Sequence, residues 1–163
     1  MSDSKGTSEA FIDRLEVRAY SRATEVPERV TAAILNIFPE TVRDKVAISK
    51  AKTDGHLGIP IMIHVGILDD HKLTSFAIQE IFSNFAANEL QSILNTLELR
   101  IDEECTLFLR IDKQTAYLED IELAIGSDVI SLQVHIMKWP RCSFTDAEQL
   151  IRQLISLTGV LER

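Results

Sequence analysis

The chain has 163 residues, 45% of them hydrophobic and 26% charged, and 25 acidic residues against 17 Lys and Arg give a formal net charge of −8. That length suits one globular domain with a sizeable core. The acidic balance excludes a generally basic nucleic-acid-coating protein, because phosphate binding needs Lys and Arg to displace counterions, although it leaves room for a local basic patch. No run of about 18 apolar residues exists to span a membrane, so no membrane partner is expected.

Residues 1–12 read as a disordered N-terminal tail without the apolar stretch of a secretory signal, followed by a single domain over 13–163 in the cytoplasm. Leu15 to Arg22 then alternates, with Leu15, Val17 and Ala19 on one side and Glu16, Arg18, Tyr20 and Arg22 on the other, the period of a half-buried strand. A helix is predicted from Pro27, with Val30, Ala33, Ile34, Ile37 and Phe38 as its apolar stripe and Pro39 as its end. Strands are predicted over Val46–Lys52 and Ile59–Leu68. In the second, Ile61, Ile63, Val65 and Ile67 take one face and Met62, His64 and Gly66 the other.

Asp70 is placed to cap the next helix, and Asn88 with Gln91 to restart one through Leu90, Ile93, Leu94 and Leu97. Thr106–Ile111 alternates again, sending Leu107, Leu109 and Ile111 inward and Phe108 and Arg110 outward. Val129–Lys138 directs Ile130, Leu132, Val134 and Ile136 inward and Ser131, Gln133 and His135 outward. Thr145 with Glu148 reads as the capping box of a last helix that Gly159 stops. The sum is an α+β single domain, an antiparallel sheet with helices on one face and the other face open.

The open face is expected to collect Arg18, Tyr20, Arg22, His64, Phe108, Arg110, Gln133 and His135. Arginines with aromatic rings on a sheet suit RNA, whose bases stack on rings while its phosphates meet the charges. The same mixture suits a protein–protein surface such as a homodimer interface, and Glu16 and Asp112 nearby would oppose a phosphate. Residues 1–82 hold 10 bases and 12 acids, and residues 83–163 hold 7 and 13. The first half is therefore −2 and the second −6, which places an anion-binding surface on the first half.

The turn Thr53–Gly58, with Gly55, His56 and Gly58, reads as a hairpin loop, with a small anion-binding nest as its functional alternative. Asp54, His56, His64, Asp69, Asp70 and His71 crowd one segment, but their spacing fits no metal motif and no metal or other cofactor is expected. No nucleophile elbow, phosphate-binding loop or dinucleotide fingerprint occurs, so no catalytic residue is assigned. Cys105 and Cys142 lack metal spacing; a disulfide stays open, with two buried thiols the preferred reading. After Ile111, Asp112 is placed to cap a short helix, either as a structural corner or with Arg110 and Lys113 flanking an anion site at the helix N-terminus.

Two segments carry a resemblance. Gly55-His56-Leu57-Gly58-Ile59-Pro60-Ile61 resembles a Gly-His-x-Gly-x-Pro-Ile signature, and Leu109–Tyr117 resembles Leu-Arg-Leu-Asp-Lys-Gln-x-Ala-Tyr/Phe. Both are similar to an archaeal family of small proteins described as exosome-associated or RNA-binding. Glu16–Tyr20 followed by Thr24–Glu28 looks like that family's first strand and helix start, with Val26 where the family commonly has Asp and Ile111 where it has Leu. The resemblance implies a fold similar to the ribosomal protein that binds 5S rRNA, and partners that are RNA and RNA-processing proteins. It makes Gly55, Gly58, Pro60, Asp112, Gln114 and Tyr117 structural motif residues. The expected function is non-catalytic RNA binding, with Arg18, Arg22, Arg110 and Lys113 on phosphates, Tyr20 and Phe108 on bases, and His56 lining the turn.

Overall fold

The computed structural model describes residues 9–54 and 58–162. Strands β1 (Phe11–Ser21), β2 (Ala47–Asp54), β3 (Pro60–Leu68), β4 (Thr106–Asp112) and β5 (Val129–Met137) form one antiparallel sheet in the order β2-β3-β1-β5-β4. Helices α1 (Pro27–Ile37), α2 (His71–Ser83), α3 (Ala87–Asn95), α4 (Leu97–Arg100), α5 (Lys113–Tyr117) and α6 (Phe144–Thr158) complete the expected α+β domain. No helix among the described residues is long and apolar enough to cross a membrane.

The alternating pattern explains the layering. Leu15, Val17 and Ala19 of β1, Leu107, Leu109 and Ile111 of β4 and Ile130, Leu132, Val134 and Ile136 of β5 join Ile34, Ile78, Phe82 and Ile151 of the helices in one buried core. β1 begins at Phe11, two residues inside the segment read as a tail, and most of that tail lies outside the described residues. A register shift between Ile12 and Arg14 lets both Ile12 and Leu15 point inward, because one extra residue resets the two-residue period.

Local chemistry decides the helix ends. Asp70 accepts the Lys72 N–H at 2.9 Å and starts α2 as expected, and Gly159 ends α6 in the left-handed region at φ 72°. Two caps fall elsewhere than the pattern predicts. At α3 the Glu89 side chain accepts the Ala86 N–H at 3.1 Å, so the helix opens at Ala87 without Asn88 as its cap. At α6 the box is Ser143 with Asp146, whose carboxylate accepts from Lys138 and from Ser143 and is thereby held at a pKa of about 2. Ser143 wins over Thr145 because it lies at the point where the backbone is still extended.

Two further expectations are corrected. Cys105 and Cys142 form a disulfide across Cα atoms 6.4 Å apart. The pair joins the residue just before β4 to the loop before α6, a proximity that a separation of 37 residues hides from sequence spacing. The second correction is the face of β3. His64, Gly66 and Leu68 point at the helices, and Ile61, Ile63, Val65 and Ile67 lie half-buried on the open face. The register requires it, since Ala19 opposes His64 and Arg18 opposes Val65.

Inside, a Cβ on Gly66 would lie 2.9 Å from Ile34 Cγ2, so glycine is what lets α1 approach the sheet this closely. His64 is fully buried and satisfied on both ring nitrogens, Nε2 2.9 Å from Ser21 Oγ and Nδ1 3.1 Å from Thr31 Oγ1.

Candidate nucleic-acid interface

The register lays the open face out in rows across the strands. Val65, Arg18, Ser131 and Arg110 form one row, and Ile67, Glu16, Gln133 and Phe108 the next. Neighbouring strands lie about 4.8 Å apart, so Arg18 and Arg110 stand roughly 10 Å from each other on one line, with only Ser131 between them. Tyr20 and Phe108 are 52% and 38% exposed at opposite corners of this region. Four of the predicted contact residues, Arg18, Tyr20, Phe108 and Arg110, are thus brought to one face.

Glu16 tempers that face. Its carboxylate sits 2.9 Å from Arg18 Nη2 and 4.0 Å from Arg14 Nε, which fixes the orientation of Arg18. Arg110 forms no ion pair among the described residues and is exposed. Arg18 Nε and His135 Nε2 are buried atoms with no hydrogen-bond partner among the described residues. Burial, followed by the Arg14 charge, lowers the His135 pKa below the ordinary histidine value, so that ring is held neutral with Nδ1 3.1 Å from Thr106 Oγ1.

His64, predicted for this face, is absent from it, because the register turns its ring toward α1. Arg22 lies one residue past the end of β1, exposed, at the corner where the chain leaves the sheet. Gly55 and His56 fall outside the described residues. Gly58 has φ 74°, a left-handed conformation that favours glycine, and Pro60 opens β3 opposite Asp54.

Lys113 is the main correction among the predicted site residues. It is 5% exposed, and its ammonium donates to Glu25 at 2.9 Å, Asp128 at 2.8 Å and the Tyr20 carbonyl at 2.9 Å. All three protons are used inside the protein, so none is offered to a phosphate. Asp112 caps α5 by accepting from the Thr115 N–H and hydroxyl, and Gln114 donates to Asp128 at 3.0 Å. Burial works against the Asp128 carboxylate, but the Gln114 and Lys113 hydrogen bonds outweigh it and hold its pKa below the usual range. Asn36 of α1 donates to the Ala116 and Tyr117 carbonyls at 3.0 and 3.2 Å, and the Arg29 guanidinium lies 5.8 Å from the Tyr117 ring centroid.

The Asp112–Tyr117 motif is therefore a clamp. It fastens α5 to α1, to the end of β1 and to the turn before β5. Gly58 and Pro60 lie at this same end of the sheet, because Asp54 pairs Pro60 and Tyr20 pairs Ile63. A hollow of about 290 Å³ between α1 and α5 is lined by Arg29, Lys113, Gln114 and Tyr117. Lys52, not singled out from the sequence, stands at that end as well, exposed on β2 opposite Met62. Its signal is present, since it is one of two lysines on a short polar strand.

Known proteins resemble the chain in both sequence and fold. The chain is 27% identical to an RNA-binding protein of Pyrococcus abyssi (strain GE5 / Orsay) over 127 residues, covering 77% of this chain and 82% of that one. A crystal structure of a protein from Archaeglobus fulgidus, described as DUF54, matches with a TM-score of 0.68 at 32% identity, over 88% of this chain and 99% of the other. A DUF54 protein from Methanothermobacter thermautotrophicus matches with a TM-score of 0.70 at 25% identity, over 88% and 98%. The model of a family described as RNA binding matches residues 14–136, a span that runs from β1 into β5 and holds both quoted motifs, and the chain belongs to that family.

Proposed function

We propose that the protein binds RNA without chemically transforming it. The observation that carries this reading is the cross-strand row of Arg18 and Arg110, set between the exposed rings of Tyr20 and Phe108. Guanidinium groups hold phosphates or stack on bases, aromatic rings stack on bases, and a sheet face presents both without rearrangement. Arg22 continues the charge past the end of β1. Lys113 contributes by holding that end of β1 in place.

The role in RNA processing, within a cytoplasmic exosome-type assembly, and the likeness to the ribosomal protein that binds 5S rRNA rest on the resemblance of the two motifs alone. A second reading draws on the corrected face of β3. Ile61, Ile63, Val65 and Ile67 make an apolar strip beside the charged rows, suited to a protein partner or a second copy of the chain. The two readings use adjacent halves of one face.

Three cations on single-stranded RNA give a log–log salt slope of about −2. An electrophoretic shift or anisotropy titration with unstructured RNA at several salt concentrations checks that slope, and changing Arg18 and Arg110 together to Glu is expected to abolish binding. Intact binding by that double variant would remove the proposed face. A wild-type chain that ignores both single-stranded and structured RNA at low salt would remove the function.

A further inference from the structure

At the end of the sheet that carries Pro60 and the α5 clamp, the last row shared by β1, β3 and β2 is Ser21, Met62 and Lys52, on the helix side. Helix α1 starts at Pro27, and within this row Ser21 is buried, Met62 half-buried and Lys52 exposed. A groove of about 200 Å³ opens there, walled by Pro27, Pro60 and Met62 and rimmed by Arg22 and Lys52. We infer that this groove is a subsite for one unpaired base of a single-stranded RNA, with Arg22 and Lys52 on its flanking phosphates.

The subsite rests on the RNA-binding reading and adds a second contact region to it. Size points to a base. The volume lies below the roughly 300–1,000 Å³ of pockets for cofactor-sized ligands, while a planar ring against proline and methionine side chains needs only a slot. Charge points to a nucleotide: Arg22 and Lys52 are exposed and form no ion pair among the described residues. The carboxylate lining the groove, Glu25, has both oxygens engaged, by Lys113 at 2.9 Å and by the Arg22 N–H at 3.0 Å; because Lys113 also serves Asp128, that cluster keeps one negative charge, which the two cations of the rim, Arg22 and Lys52, outnumber.

Continuity supplies the path. Tyr20 lies on the open face, Ser21 on the opposite side, and Arg22 just past the end of β1, so an RNA strand leaving the face past Tyr20 reaches the groove by rounding that end. A base inside a duplex cannot enter, because its ring edge is paired and its faces are stacked. Single-stranded RNA is therefore the class of ligand.

The test uses the full chain, a labelled unstructured 12-nucleotide RNA and the matching duplex, with anisotropy as the readout. Lys52→Gln is expected to weaken single-strand binding severalfold and to make the salt slope shallower by about 0.7. Met62→Glu is expected to weaken it by at least as much, with duplex binding unchanged in both variants. Because Met62→Glu perturbs a half-buried position, photocrosslinking of wild-type protein to 4-thiouridine RNA gives a readout independent of folding, with adducts expected on the Pro60–Met62 peptide. Full single-strand affinity in Lys52→Gln, with adducts confined to the Tyr20 and Phe108 peptides, would overturn the groove and leave the open face standing. No binding of either RNA by the wild type would overturn the RNA reading itself.

Discussion

His64 is buried with both ring nitrogens hydrogen-bonded, and protonating it would force a charge into the core. Burial is the main influence lowering its pKa, assisted by Lys50 and Lys113 and opposed by Glu25 and Glu28. The unfolded chain, with an ordinary histidine pKa near 6.5, takes up a proton that the folded ring resists. Stability from neutral His64 is complete above that value and is lost as pH falls from it through the lowered folded pKa, with a slope of at most about 1.4 kcal/mol per pH unit. His135 shifts in the same direction and adds to the effect. Urea midpoints are expected to fall between about pH 7.5 and about pH 5 for the wild type and to fall less for His64→Gln, whatever that variant costs at neutral pH. A midpoint independent of pH would contradict the buried neutral ring. In the sequence His64 reads as a surface histidine because Ser21 and Thr31, which satisfy it, are 43 and 33 residues away.

Between elements, the packing of α1 on β3 explains most of what the sequence pattern conceals. The faces of β1, β4 and β5 are legible because they differ plainly in polarity. β3 offers Ile61, Ile63, Val65 and Ile67 against Met62, His64, Gly66 and Leu68, and hydropathy favours the wrong set. Close approach decides instead: Gly66 leaves room for Ile34, and the histidine beside it is satisfied in part by the helix it meets. The clamp at α5 has the same origin, since Asp112 as a cap is local and legible, whereas the partners of Lys113 come from residues 20, 25 and 128. Gly66→Ala tests the packing. The added methyl would meet Ile34 at 2.9 Å, Ile48 at 3.1 Å and Val46 at 3.2 Å, so α1 or β2 must shift. A loss of about 1–3 kcal/mol in chemical denaturation is expected, and an unchanged midpoint would mean that α1 sits farther from the sheet.

At the scale of the whole molecule, a net charge of −8 still leaves individual cations without an acidic partner among the described residues. Arg110 and the exposed cations Arg22 and Lys52 form no ion pairs among the described residues and stand on one face and one end, while Lys113 and Lys138 neutralise acids within the structure. A binding surface can therefore exist on an acidic chain, and it is small enough that salt should dissolve its complexes readily.

Holding that surface in shape is a global matter, and the Cys105–Cys142 disulfide bears on it directly. The bond closes a 37-residue segment that contains β4, the α5 clamp and β5. These are the strands that carry Phe108, Arg110 and Ser131, so the crosslink limits how far β4 and β5 can separate from each other in the unfolded chain. Loop-closure entropy for such a segment is worth about 3–4 kcal/mol. Cys142→Ser is expected to lower stability in denaturant by about that much without reductant, and to match the wild type once reductant is present. RNA affinity below the unfolding transition should be unchanged, because neither sulfur lies on the open face. Equal midpoints without reductant would show that the thiols stay unpaired in solution. Lost affinity in a folded variant would instead make the crosslink part of the binding geometry.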